Sequence, residues 1–324
     1  SVQKQEDAFY DRVWEELESS VKYRKAIDWI ERQWYYRLNG KWVFINGKPT
    51  YLAPNHWFYL NYWHIEGVGL PEYRDRDRRW FWAMHYFKHD TTMPKIDSDG
   101  NLLYNDDGSL QLVDVGYRTV DGVIGTKGRR MGDTTKATDD IWCDISLLID
   151  GKGGIQGDKE DTGDQVFHDK LMYAYRKLPF FWKPKTNHNL QNELMMEAVG
   201  VDDSLDARIT YASAHPTAYD GQRLDRYYSD EPGKLEKYSI YDRHDIVRRC
   251  LRKGAKLEGF SIYTTTVNDM TVDAGKNFEK LCSDSFYNQR GKNGFTKSGM
   301  IVLHFKAYDG YEGFIGKYGE SIID

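Results

Sequence analysis

The chain has 324 residues, 40% of them hydrophobic, enough to bury a real core as one large domain or two small ones. Its formal net charge of −5 excludes a protein that coats nucleic acid through bulk positive charge, so any such contact must be local or shared among subunits. Cys143, Cys250 and Cys282 lack metal-ligand spacing and fit a reducing compartment, no run of about 18 apolar residues predicts a membrane span, and the polar opening Ser-Val-Gln-Lys-Gln is no signal peptide.

Residues 6–37 read as a helix, with Trp14, Leu17, Val21, Tyr23, Ile27, Ile30 and Trp34 at roughly helical spacing. Residues 42–65 are dense in aromatics and broken by Asn46-Gly47, Lys48-Pro49 and Pro54-Asn55, which predicts hairpins and short strands. A second helix is expected over 74–90. Asp-Gly pairs at 99–100 and 107–108 predict a β-hairpin insertion over 97–116. Beyond it the rhythm alternates. Strands are expected at 120–125, 154–157, 208–213, 223–228, 260–267 and 300–305, and helices at 134–148, 161–178, 238–252 and 278–288. Alternation of this kind implies an α/β domain with a mostly parallel sheet.

The richest local pattern is Gly125-Thr126-Lys127-Gly128-Arg129-Arg130-Met131-Gly132-Asp133-Thr134-Thr135, between a predicted strand and a predicted helix. That is the setting of a phosphate-binding loop: glycines let backbone amides turn inward, and a helix N-terminus adds a positive dipole end. Thr134, at the start of the helix, is the candidate hydroxyl ligand for Mg²⁺. The usual pattern ends Gly-Lys-Ser/Thr, whereas Asp133 holds the lysine position here. A carboxylate aimed at a triphosphate would repel it, so Asp133 must point away or pair with a cation. Lys127, Arg129 and Arg130 are left to supply the positive charge. The alternative is a basic surface turn that binds nothing.

Two further patterns follow. The stretch 223–231 ends in Asp230-Glu231, where an Asp holding Mg²⁺ and a Glu polarising the attacking water serve phosphoryl transfer; the alternative is a solvated acidic pair before the Pro232-Gly233 turn. In 261–266 an apolar strand runs into the hydroxyl cluster Thr264, Thr265 and Thr266.

With Lys127, Arg130, Gly132 and Thr134 matching a pattern Lys-x-x-Arg-x-Gly-x-Ser/Thr, the loop resembles the deviant Walker A motif of phage terminase large subunits. Asp230-Glu231 then looks like Walker B, and Thr264–Thr266 like the coupling motif that senses the γ-phosphate. The aromatic segment 51–65 is similar to one found early in those proteins. The resemblance covers about residues 40–320, loosely between motifs.

The resemblance implies a P-loop NTPase fold of the additional-strand (ASCE, RecA-like) class. A helical, aromatic-rich lid subdomain would occupy 1–75 and the ATPase core 76–324, with no C-terminal nuclease domain and no DNA cutting. It implies an ATPase that drives double-stranded DNA into a procapsid, using ATP and Mg²⁺. Lys127 and Arg130, with Arg129 a further candidate, would neutralise the β- and γ-phosphates. Thr134 and Asp230 would serve Mg²⁺, Glu231 would be the base, and Thr264–Thr266 would couple hydrolysis to movement. Expected partners are the portal protein, the small terminase subunit and further copies in a ring, a pentamer by the family pattern, in the host cytoplasm. The rivals are a degenerate assembly module, which Asp133 favours, and a helicase-like motor.

Outside these motifs, Arg243, Arg248, Arg249, Arg252, Lys253 and Lys256 form the most basic stretch, read as a solvated helix face, with DNA contact as the alternative. The cluster Trp34, Tyr35, Tyr36, Trp57, Phe58, Tyr59, Tyr62 and Trp63 is read as core, with stacking on adenine or bases as the alternative. His85 and His89 are read as structural.

Overall fold

The computed structural model describes residues 12–17, 19, 23–184, 188–197, 204–266, 269 and 271–322. Helix α1 (Arg24–Asn39) stops at Gly40. An antiparallel hairpin follows, β1 (Lys41–Ile45) with β2 (Lys48–Leu52), closed by Asn46 and Gly47 at φ 46° and 72°. Both central residues lie in the left-handed region, the turn that suits strand twist. The prediction of strands fails just beyond it: Pro54–Tyr62 is a helix, α2. Pro54 sits in its first turn, where a missing N–H costs nothing, so the residue taken as a breaker is an initiator.

Helix α3 (Asp75–His89) has Asp75 and Asp77 in its first turn and Lys88 and His89 in its last, both matched to the helix dipole. The expected insertion begins earlier, with β3 (Thr92–Pro94) paired to β4 (Leu112–Asp114) and isolated bridges between them. Then come β5 (Gly122–Lys127), α4 (Asp133–Ile145) and β6 (Lys152–Gln156). The helix expected at 161–178 is α5 (Glu160–Gln165) and α6 (Tyr173–Lys177), joined by a π-helical turn, Val166–Met172. A hairpin that the sequence reading missed, β7 (His188–Leu190) and β8 (Glu193–Met196), precedes β9 (Ala207–Ala212) and β10 (Arg226–Asp230).

The rest of the chain adds α7 (Ile240–Cys250), the short hairpin β11 (Arg252–Lys253) and β12 (Lys256–Leu257), β13 (Phe260–Thr266), α8 (Asp273–Ser283) and β14 (Met300–His304). Helix α8 lies five residues earlier than expected. Gly275 argues against a helix interior, yet it is buried there beside Ala274, Phe278 and Leu281, a core-facing stripe that overrides propensity.

Among the described residues, eight strands form the central sheet in the order β14-β5-β13-β10-β6-β9-β8-β7. The first six run parallel, and β8 and β7 add an antiparallel edge. The hydroxyl strand β13 lies between β5, which feeds the Gly-rich loop, and β10, which ends in the acidic pair. An α/β sheet with that inserted strand is the P-loop NTPase fold of the additional-strand class. Because the strands are parallel, the loop, the acids and the threonines all emerge at one edge, where sites in open α/β sheets form.

The aromatic cluster is core. Trp57, Phe58, Tyr59 and Trp63 are buried, Phe58 stacks on Trp142 of α4 at 5.1 Å, and Trp34 and Tyr62 pack edge-on to Trp182. Arg37 lies over the Trp142 ring at 4.6 Å and donates to Ser146. Tyr35 alone of the cluster is exposed.

Candidate active site

Strand β5 delivers Lys127 as its last residue, with its side chain buried. Gly125 and Thr126 precede it within the strand, and Thr126 shares a hydrogen bond with His304 of β14 at 2.8 Å. The chain then turns through Gly128, Arg129, Arg130 and Met131 to Gly132, which holds φ +71° directly before α4. That left-handed position is one a Cβ disfavours. Arg130 also sits at positive φ, and Arg129 and Arg130 are exposed, whereas Met131 is buried. Thr134 and the buried Thr135 stand in the first turn of α4.

Asp133 is turned into the protein. Arg76 of α3 grips it bidentately, Nη1 to Oδ1 at 2.7 Å and Nη2 to Oδ2 at 2.8 Å, and Lys136 pairs with it at 2.7 Å. Lys136 pairs with Asp77 as well. Arg76 and Lys136 both donate to the carbonyl of Met131 at 3.2 Å, so the ionic network also pins the loop backbone. Burial pushes the Asp133 carboxyl up, but Lys136, Arg76 and Lys127 outweigh it and hold the group well below the usual carboxylate range. The carboxylate in the lysine position is thus an internal anchor.

Asp230 ends β10 beside the helix start. Thr134 Oγ1 donates to its Oδ1 at 3.0 Å and the buried Tyr228 hydroxyl donates at 2.5 Å. Tyr228 also bonds Thr264 at 2.7 Å. Lys127 Nζ lies 4.0 Å from Asp230 and 3.6 Å from Glu231. Glu231 adopts φ +50°, although Pro232 follows it. Its Oε2 accepts from the Thr266 amide and hydroxyl, both at 3.0 Å, and from Thr265 at 3.2 Å, and Lys234 pairs with it at 3.0 Å.

Burial raises the Asp230 carboxyl, against the pull of Lys127. For Glu231, burial is outweighed by Lys127, the Thr266 amide and Lys234, so that carboxyl is lowered. Two adjacent acids are therefore shifted in opposite directions, a pattern that suits different roles. The hard oxygens of Thr134 and Asp230 are donors of the class Mg²⁺ prefers, and they leave its other positions to phosphate and water.

Of the predicted residues, Lys127, Thr134, Asp230, Glu231, Thr264, Thr265 and Thr266 meet at this edge, whereas Arg129 and Arg130 stand exposed on the loop and Asp133 turns away from it. The reading missed Arg76, Asp77, Lys136, Tyr228 and Lys234. Local spacing could have offered Lys136 and Lys234, each three residues beyond an acid it pairs with; nothing in the sequence links Arg76 to Asp133. The basic stretch does not share one face: Arg249, Lys253 and Lys256 are exposed, and Lys253 and Lys256 lie beyond α7 in the short hairpin. Arg243 is fully buried and donates to the carbonyls of Gly157 and Ala214, while Arg248 and Arg252 clamp the buried Asp121. His85 and His89 face each other at 5.0 Å, and among the described residues no group of three or more His, Cys, Asp or Glu is placed to hold a metal.

No model of a known protein family matches the sequence, and no curated protein matches it. Solved structures do. The large terminase ATPase domain of Thermus phage P74-26 superposes at 13% identity and TM-score 0.40, over 59% of this chain and 78% of that one. The bacteriophage HK97 large terminase matches at 13% identity and TM-score 0.48, over 79% of this chain and 43% of that one. The large terminase of a thermophilic bacteriophage, in complex with ATP-γ-S, matches at 13% identity and TM-score 0.38, over 61% and 42%.

Proposed function

We propose that this chain is the ATP-hydrolysing motor domain of a viral terminase large subunit, powering translocation of double-stranded DNA into a procapsid. The observation that carries the reading is the convergence at one sheet edge of Lys127, Thr134, Asp230 and Glu231, with the hydroxyl strand inserted between loop and acids.

The triphosphate lies along the loop, taken up by backbone amides at the start of α4 and by Lys127, Arg129 and Arg130. Lys127, which bridges the two acids, turns its ammonium to the β- and γ-phosphates. Thr134 and Asp230 would hold Mg²⁺, which when bound would neutralise the negative charge of the phosphates. Glu231 orients a water and takes its proton as the water oxygen bonds to the γ-phosphorus. The bond from that phosphorus to the β,γ-bridging oxygen breaks, and ADP and phosphate leave. Thr264, Thr265 and Thr266 join Asp230 and Glu231 to β13, a path by which loss of the γ-phosphate reaches the rest of the sheet.

In this reading the domain works as a homo-oligomeric ring, pentameric by the family pattern, docked on a portal with a small terminase subunit in the host cytoplasm. The degenerate-module alternative rested on Asp133. That charge is met by Arg76 and Lys136, which supports the hydrolysing reading instead.

The test is ATP hydrolysis with and without Mg²⁺, beside Lys127→Ala and Glu231→Gln. We expect turnover that EDTA abolishes, Glu231→Gln to bind nucleotide yet lose at least about 100-fold in rate, and Lys127→Ala to lose both binding and rate. Full turnover in Glu231→Gln removes that residue from the role.

A further inference from the structure

Among the described residues, the hydrogen bonds to the Glu231 side chain all go to one oxygen. That oxygen, Oε2, lies within reach of four donors: the Thr266 amide, the hydroxyls of Thr265 and Thr266, and Lys234 Nζ at 3.0 Å, the Thr265 hydroxyl being shared with the Thr266 carbonyl at 3.1 Å. Oε1 is left to face Lys127 at 3.6 Å. A carboxylate offers about two lone-pair sites on each oxygen, so Oε2 is saturated and Oε1 is the oxygen presented to the loop. The backbone has no intrinsic preference for this pose. Glu231 is a left-handed non-glycine residue preceding a proline, a conformation that needs external support. Three of the four donors come from β13. The fourth, and the only charged one, comes from the 3₁₀ turn Pro232–Lys234 immediately downstream.

We propose that Lys234 is a positioning residue, locking Oε2 of Glu231 against β13 so that Oε1 alone is aimed at the attacking water. The inference rests on the reading of Glu231 as the base. The groups facing Glu231 are Lys127 from β5, Asp230 from β10, the two threonines from β13 and Lys234 itself. When Lys127 turns to the phosphates, Lys234 becomes the remaining cation on the carboxylate. Without it only the uncharged donors of β13 hold the side chain, a looser grip, and misplacement of a catalytic group by about 1 Å costs on the order of 100-fold in rate.

Lys234 also lines a cleft of about 480 Å³ shared with Asp158, Glu160, His215, Lys237 and Tyr238. Lys237, exposed on the same cleft, makes no ion pair with Glu231 and serves as the control.

The experiment compares wild type, Lys234→Met, Lys234→Arg and Lys237→Met in steady-state ATP hydrolysis, and follows hydrogen exchange of the Thr266 amide by NMR. We expect Lys234→Met to lower kcat by about 10- to 100-fold with KM unchanged. Lys234→Arg should restore most of the rate, Lys237→Met should match wild type, and Thr266 should lose protection only in Lys234→Met. An unchanged kcat, or a KM rising in proportion to any loss of rate, overturns the proposal. If wild type shows no turnover, the hydrolysis reading fails by itself, and the Thr266 amide still decides. Protection lost in Lys234→Met upholds the lock, and protection retained refutes it.

Discussion

Asp133 shows how a residue that breaks a motif can be repaired from elsewhere. A carboxylate in the lysine position of a phosphate loop would repel the ligand, yet Arg76 and Lys136 take both its oxygens inside the protein, where Arg76 and Asp133 are at most 1% exposed by side chain. From sequence the need for a cation is visible and its identity is not, because Arg76 lies 57 residues upstream on another helix. Removing one partner of a buried pair strands the other's charge, at about 3–5 kcal/mol. Asp133→Asn, which keeps the shape and drops the charge, should therefore lower the urea unfolding free energy by about that much. Arg76→Met combined with it should cost less than the sum of the single changes, with a coupling of about 0.5–3 kcal/mol. Additive losses would mean that the two side chains do not act as a pair.

At the scale of elements, most of the sheet is readable from the chain. Strands β5, β9 and β13 fall within two residues of expectation, because short apolar runs bounded by Gly and Pro leave little freedom. Their order across the sheet is not readable: the pairing of β13 with both β5 and β10 is set by tertiary packing. The misses have local causes. Pro54 opens α2 where a proline was taken to end structure, and Gly275 sits in a helix that burial stabilises.

Another glycine shows how closely the elements approach. A Cβ on Gly233, in the turn after Glu231, would come within 3.0 Å of Thr265 Oγ1 and 3.2 Å of Phe278 of α8. Gly233→Ala should cost about 1–3 kcal/mol in thermal or chemical unfolding. It should also lower turnover, since the displaced hydroxyl is one of the donors to Glu231. A variant as stable and active as wild type would show that the turn can move away from β13 freely.

Across the whole molecule, the packing of α2 against α3 should make the fold sensitive to acid. His56 of α2 is fully buried, stacked 5.0 Å from the Phe81 ring and near Tyr73, with neither ring nitrogen hydrogen-bonded. Burial, helped by Lys136 and Arg78, lowers its pKa to about 3. The unfolded chain protonates this imidazole near pH 6.5 and the folded chain only near 3, so the unfolded state binds more protons between those values. His56 therefore favours folding fully above about pH 6.5, and that contribution fades as the pH falls, by up to about 1.4 kcal/mol per unit. His85, His89 and His244 are lowered by burial too and act with the same sign. Asp133, held down by its cations, adds a loss below about pH 4. Replacing the ring with an uncharged one, His56→Phe, keeps the stack on Phe81 and removes a single titration. Between pH 6.5 and 4 its stability should fall less steeply than that of wild type, by up to about 1.4 kcal/mol per unit, while the steep loss below pH 4 remains. Parallel stability curves for the two proteins would mean that His56 finds a proton-tolerant environment when folded. A flatter curve would tie the acid limit of the fold first to the burial of the His56 ring, and second to Lys136, whose ammonium a charged His56 repels and whose bond to Met131 pins the Gly-rich loop.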